Sequence, residues 1–302
     1  FFRQNRKKFW KKGFGQYKRY DKGKFKKKNF GRSIMKKIND LENLAKKYRR
    51  ELFEKLLLLK QGHLGSIYSM METVVTLYHC GFVKFDEKEK KFSDKVLISK
   101  GHATAALYPI LRDFGLIQEK DWNDWGNKNS LLRIFGNTSI PGIDVTSGSL
   151  GHCVGVGAGM AISYKRKQND KKVFVIISEG ELYEGSTWEA LLFAKHNKLD
   201  NLTVIIDINS LIILGKTSDC LNLDPIKDKI AGLGIKTLEV DGHNISDLIS
   251  TFETVKKLGE FSCILANTIK GKGCSLMENE KNWHYYNLLS KDEIKQVREE
   301  LS

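Results

Sequence analysis

From Ile38 onward the apolar positions Leu41, Leu44, Tyr48, Leu52, Leu56 and Leu59 recur every three or four residues. That is the stripe of an amphipathic helix, which the Gln61-Gly62 pair closes. The stretch HLGSIYSMMETVVTLYHCGF predicts a second helix opened by a Gly65-Ser66 cap signal. The period then changes. KVLIS (95–99), KVFVIIS (172–178), LTVIIDI (202–208), KTLEVDG (236–242) and FSCILANTIKG (261–271) are short apolar runs bounded by turn residues, the pattern of buried strands. STWEALLFAKHNKL and NISDLISTFETVKKL carry helical spacing between them, residues 120–147 are polar and turn-rich, and PGIDVTSGSLGHCVGVGAGMAISYKRK leads through clustered glycines into another helix. Apolar strands alternating with helices predict an α/β fold: a doubly wound, mostly parallel sheet with helices on both faces.

Charge changes the picture at one end only. The formal net charge of the 302 residues is +15, and residues 1–37 alone hold 16 Lys or Arg against the single acid Asp21, leaving 35 basic and 35 acidic residues that cancel. The first stretch interleaves aromatics with lysines, a composition that can grip phosphates and stack on bases but cannot bury enough surface to fold. Because the periodic pattern starts near Met35, residues 1–34 read as a basic, disordered arm or a non-native extension, and 35–302 as one domain. No apolar run reaches the roughly 20 residues of a membrane helix, so a cytoplasmic protein is expected. Five scattered cysteines without a CxxC pair argue for reduced thiols, most simply as small buried apolar residues.

Candidate chemistry gathers where the strands end. The first strand runs into Gly101-His102, the second into Glu179-Gly180, the third carries Asp207 and Asn209, and the last leads to Lys270-Gly271-Lys272-Gly273 with His284 beyond. In a parallel sheet these carboxyl ends converge, and ligands bind there. Glu179, Glu181 and Glu184 crowd like charges at the end of a buried strand, and a bound cation would offset their repulsion. A hard cation takes carboxylate, amide and carbonyl oxygens, which Glu179 and Asn209 supply from adjacent strand ends. Glycine at 180, opening a helix, allows a backbone N–H to approach a phosphate closely.

Taken together, QGHLGS, ISKGHATAALYPIL, PGIDVTSGSLGH, SEGELYEGSTWEALLFAKHNKLDNLTVIIDIN, DGHNISDLI and TIKGKGCSLMENEKNWH resemble the N-terminal, thiamine-diphosphate-binding half of transketolase, from about Met35 to Ser302. The resemblance implies a diphosphate-binding domain that uses thiamine diphosphate and Mg²⁺, or another divalent cation such as Ca²⁺ or Mn²⁺. It implies Glu179, Asn209 and the Leu211 carbonyl as metal ligands. His102, Gly180, Glu181, Asn209 and His284 would contact the cofactor, with Gly148, Ser149 and Leu150 lining its rings. His63 would face the sugar, with His102 and Glu184 joining it in catalysis, Glu184 through an acidic relay between two cofactor sites. The implied reaction moves a two-carbon ketol unit from a ketose to an aldose, on sugar phosphates. It also implies a separate C-terminal subunit that supplies the pyrimidine-binding domain and its glutamate, in an α₂β₂ assembly.

The chain departs from the family pattern at four places. Ser178-Glu179-Gly180 stands for Gly-Asp-Gly, GHLG for GHPG, and Ile212 and Leu214 for polar neighbours of Asn209. RIFGNTSIPG offers only Asn137 near the place of a substrate-facing histidine. These changes leave the fold reading intact and keep two alternatives open: a degenerate scaffold or regulatory subunit of the same fold, and a nucleic-acid-binding protein acting through the basic arm.

Overall fold

A computed structural model of the protein describes residues 30–302; the basic arm expected over 1–34 lies outside the described residues except at positions 30–34, which open the first helix. Helix α1 (Phe30–Leu59) carries the predicted apolar stripe, and Leu41, Tyr48, Leu52 and Leu56 are buried. The predicted second helix is two: α2 (Leu64–Ser69) and α3 (Met71–His79), broken at Met70 with φ −102° and ψ 9°. Gly65 and Ser66 lie inside α2, not at its cap. The reason is packing, since a Cβ at Gly65 would stand 2.9 Å from the Trp283 carbonyl oxygen and 3.2 Å from Lys270 Cγ.

The sheet contains β1 (Lys95–Ile98), β2 (Val173–Ser178), β3 (Leu202–Ile208), β4 (Lys236–Asp241) and β5 (Ser262–Asn267) in the order β1-β2-β3-β5-β4. Every neighbouring pair is parallel, and Ser178, Asp207 and Ala266 stand level at the ends of the three central strands. The alternation of strand side chains divides the core. Val175, Ile177, Val204, Ile206, Cys263 and Leu265 pack with α4 (Cys153–Arg166), α5 (Gly185–His196) and α6 (Ile226–Gly232). On the opposite face Phe174 meets Phe252 of α7 (Ile245–Leu258), with ring centroids 6.4 Å apart. Cys153, Cys263 and Cys274 are buried thiols, as expected of small apolar residues. Among the described residues no helix is long and apolar enough to cross a membrane.

β5 stops at Asn267 instead of running to 271. Thr268 turns its hydroxyl to Asp207 at 2.5 Å, and the Ile269 N–H donates to His243 Nε2 at 2.7 Å instead of to a strand. Because His243 Nε2 accepts, its ring hydrogen sits on Nδ1, 2.9 Å from Glu72 Oε2. Arg49 of α1 donates to the same carboxylate at 2.7 Å, so α1, α3 and the segment before Lys270 meet at one buried ion pair. Burial works to raise the Glu72 pKa, but the Arg49 guanidinium and the His243 hydrogen bond outweigh it and hold the carboxyl down at about 2.

Removing one partner of such a pair leaves a buried charge uncompensated, so Glu72→Gln should destabilise the protein by about 3 kcal/mol in urea unfolding. Since the folded pKa lies below the unfolded one, the Glu72 contribution is present above about pH 4.5 and is lost as pH falls toward 2. The variant should unfold with a shallower dependence on pH across that window.

Candidate functional site

The site is organised by side chains leaving the strand ends on opposite sides. Beyond β1, Ser99 and Lys100 point to opposite faces, as successive extended residues do. Lys100 forms a buried ion pair with Asp207 near the end of β3. Asp207 also accepts from Ser69 Oγ at 2.6 Å, Thr268 Oγ1 at 2.5 Å and Asn209 Nδ2 at 3.2 Å. Burial pushes the Asp207 pKa up, but Lys100 and these hydrogen bonds bring it below the ordinary carboxylate value. The last strand's exit delivers a second buried lysine, Lys270, only 2% exposed. Its Nζ lies 3.2 Å from His284 Nδ1, and it has no carboxylate in an ion pair among the described residues. Burial and the neighbouring Lys100 pull its pKa down to about 8.

Three histidines meet beside Lys270. His63, just ahead of α2, has its ring centroid 4.9 Å from His102 and 5.5 Å from His284, while His102 and His284 are 5.2 Å apart. Burial, with Lys270 adding, pulls His63 and His284 down to about 4, and burial depresses His102 well below the ordinary histidine value. All three are therefore neutral near pH 7. Lys270 has hydrogens only to donate, so His284 Nδ1 accepts and the ring's own hydrogen stands on Nε2. His102 Nε2 lies 3.1 Å from Ser66 Oγ, whereas the buried Nδ1 of His63 has no partner. Phe135 and Tyr285 flank His63 with ring centroids at 5.8 Å and 5.1 Å.

The three glutamates of SEGELYEG diverge. The 3₁₀ helix Glu179–Tyr183 turns about three residues per revolution, so its side chains leave in different directions. Glu179 turns to the next strand's exit, where its Oε2 accepts from the Ser210 N–H at 2.7 Å. Glu181 turns inward: its Oε1 accepts from Ser99 Oγ and from the Gly151 N–H at 3.0 Å, and Oε2 has no partner. Burial raises its pKa, with Glu184 adding to the effect. Glu184 is exposed at the start of α5 and makes no capping hydrogen bond. The acids therefore do not need a cation merely to coexist.

The residues present fit a diphosphate in one half and a hard cation in the other. A neutral histidine donor and a buried lysine that has no carboxylate in an ion pair suit an anion. Glu179, Asn209 and the Leu211 backbone bring a carboxylate, an amide oxygen and a carbonyl to one segment, although Asn209 Oδ1 already accepts from the Leu211 N–H at 3.2 Å. Beside Gly180 the room a side chain would need is filled by Ile212, whose Cγ2 would lie 2.6 Å from a Cβ there. Gly148, Ser149 and Leu150 form a loop next to β1, fastened where Ser147 Oγ donates to the Ile98 carbonyl at 2.6 Å. Thus His63, His102 and His284 come together, as do Glu179 and Asn209, while Glu184 stands apart in solvent. The Lys100–Asp207 pair and the Phe135–Tyr285 walls carry no periodic signal in the sequence. The KGH triplet marks Lys100 only as a loop residue.

Residues 42–302 match the family described as transketolase, thiamine diphosphate binding domain. An apulose-4-phosphate transketolase subunit of Phocaeicola vulgatus is 35% identical over 250 residues, covering 82% of this chain and 89% of that protein. The 6-deoxy-6-sulfo-D-fructose transketolase subunit SqwG of Clostridium sp. is 33% identical, covering 81% of this chain and 90% of that protein. The solved transketolase of Campylobacter jejuni superposes with a TM-score of 0.77 at 24% identity, over 87% of this chain and 43% of that one. The chain spans less than half the length of that enzyme but nearly all of the separate subunits. With the parallel sheet and the strand-end cluster, these matches make the chain a member of the transketolase family, comprising its thiamine-diphosphate-binding domain.

Proposed function

We propose that this chain is the cofactor-binding subunit of a two-part transketolase, transferring a two-carbon ketol unit between sugar phosphates. The observation that carries the reading is the buried Lys270 beside three neutral histidines, with the Glu179–Asn209 donor pair at the exits of neighbouring parallel strands. His284 donates from Nε2, and Lys270 supplies the positive charge, to a diphosphate that His102 also contacts. Glu179, Asn209 and the Leu211 carbonyl hold Mg²⁺, or Ca²⁺ or Mn²⁺ in its place. Gly148, Ser149 and Leu150 line the cofactor rings. When bound, thiamine diphosphate supplies a carbon nucleophile able to open the bond beside a ketose carbonyl. Neutral His63, beside His102 and flanked by Phe135 and Tyr285, hydrogen-bonds to the sugar and orients it. A separate subunit supplies the pyrimidine-binding domain with its glutamate, and Glu184, exposed at the start of α5, faces that subunit in an α₂β₂ complex. Glu181 acts one layer back, fixing the Gly151 end of the ring-binding loop to Ser99. The two bacterial relatives are both named as transketolase subunits, which supports the division of the enzyme between chains. Residues 1–34 are a dispensable arm in this reading, and 35–302 the working domain.

Calorimetric titration of the two-subunit complex with thiamine diphosphate, with Mg²⁺ or with a chelator, tests the metal half. Binding should be tightened by Mg²⁺ in the wild type and in Glu179→Asp, and Glu179→Gln should lose that gain. Absence of binding under every condition would favour the scaffold alternative.

The anion half has its own test. Replacing the charge-assisted contact by Lys270→Met should weaken thiamine diphosphate binding by about 10- to 100-fold. The Lys270 pKa of about 8 also sets a pH dependence with a definite sign. The bound anion favours the protonated amine, so above pH 8 binding must take up a proton and the affinity falls as pH rises. Lys270→Met should flatten that profile between pH 7 and 9.

A further inference from the structure

His63 is only 7% exposed, because four rings close around its own: His102 at 4.9 Å, Tyr285 at 5.1 Å, His284 at 5.5 Å and Phe135 at 5.8 Å between centroids. So little of the imidazole meets solvent that a sugar must displace one of them to hydrogen-bond with it. Three are held. His102 Nε2 lies 3.1 Å from Ser66 Oγ, and His284 Nδ1 accepts from Lys270 at 3.2 Å. Phe135 packs on the loop at Gly148, where a Cβ would come within 3.3 Å of its ring. Of the four, Tyr285 is the one without such a tie. Its ring is 54% exposed and touches His284 as well, with centroids 4.9 Å apart. It follows the 3₁₀ turn Lys281–His284 in extended backbone, φ −106° and ψ 166°, where side chains commonly take either of two χ1 rotamers. Among the described residues neither the Tyr285 hydroxyl nor the backbone of residues 285–289 makes a hydrogen bond. The segment's own fastening is the Asn287 side chain, which donates to the Asn282 carbonyl at 2.8 Å. A change of rotamer at Tyr285 therefore breaks ring contacts and no hydrogen bond.

We propose that Tyr285 is a gate over His63: it covers the histidine in the free protein and turns outward when a sugar phosphate takes its place. This rests on the proposed function, in which His63 orients the sugar. The ring contacts set the balance of the gate. An aromatic pair of this kind favours contact by about 2- to 10-fold beyond the area it buries, so the closed arrangement predominates without sealing the site. A sugar that binds only the open arrangement then shifts the population toward it. The hydroxyl of Tyr285 has no part in the cover, which is made by the ring.

The two-subunit complex, loaded with thiamine diphosphate and Mg²⁺ and carrying 3-fluorotyrosine at position 285, is titrated with D-ribose 5-phosphate, an aldose that is not turned over without a ketose. The fluorine resonance should move toward that of free 3-fluorotyrosine in water, with the half-saturation that calorimetry gives for the sugar. A resonance that stays in place while the sugar binds overturns the gate and leaves Tyr285 a fixed wall. Diethyl pyrocarbonate, with modification read at His63 by mass spectrometry, tests the cover without any sugar. Tyr285→Ala should speed modification of His63 by about threefold or more, the factor expected when a ring contact of this strength is lost. Tyr285→Phe should leave the rate unchanged, as should Leu288→Ala at an exposed neighbour in the same segment. Equal rates in the wild type and Tyr285→Ala overturn the inference. If D-ribose 5-phosphate does not bind, it is the transferase reading that fails, and the modification rates still decide the gate: acceleration in Tyr285→Ala alone supports it, and equal rates overturn it.

Discussion

The site depends on one buried ion pair, between Lys100 at the exit of β1 and Asp207 near the end of β3. Both residues are 1% exposed, so neither charge is tolerable without the other. Asp207 also binds Ser69 of α2, Thr268 after β5 and Asn209 of the donor pair. One carboxylate therefore registers three strand exits and the helix that carries His63. A buried pair of this kind is weak evidence for stability, because desolvation offsets much of the attraction. Its consequence here is arrangement: with Asp207 paired to Lys100, Lys270 is left beside the three histidines without an ion-pair partner of its own among the described residues.

Much of this architecture is legible in the sequence because burial imposes a period. β2 and β3 are apolar along their lengths, since both faces of a central parallel strand are covered, and their observed bounds lie within a residue of the expected ones. The expected strand over 261–271 overruns for an equally physical reason. Thr268 and Ile269 look compatible with a strand, but their polar groups are taken by Asp207 and His243, far away in sequence. Gly65 misleads in the same way. A glycine that opens a helix and one that admits a neighbouring backbone are the same letter, and only the approach of Trp283 distinguishes them.

The site divides along a similar line. His63, His102 and His284 are legible because each lies in a distinctive stretch, and the fold brings their rings together. The neighbour of His63 is not legible. RIFGNTSIPG draws attention to Asn137 as a polar candidate, yet the side chain delivered to His63 is Phe135. The Tyr108 hydroxyl that donates to the Arg133 carbonyl two residues earlier comes from a separate helix, and no local spacing reveals that contact. Residues 1–29 lie outside the described residues, so the basic arm remains a statement about composition.

The acids that first suggest a cation through their crowding do not in fact crowd. If repulsion among Glu179, Glu181 and Glu184 were the problem, a metal would be required to hold the chain in shape. Instead the 3₁₀ turn separates them: Glu181 is satisfied on one oxygen by Ser99 and Gly151, and Glu184 is left in solvent. The case for a cation then rests on Glu179 alone, a buried carboxylate whose hydrogen bond comes from a neutral backbone N–H. Lys270 is a second buried charge without an ion-pair partner among the described residues, an ammonium hydrogen-bonded to a neutral imidazole. A site with one unmatched charge of each sign suits a ligand that is itself divided, a divalent cation at one end and a phosphate anion at the other.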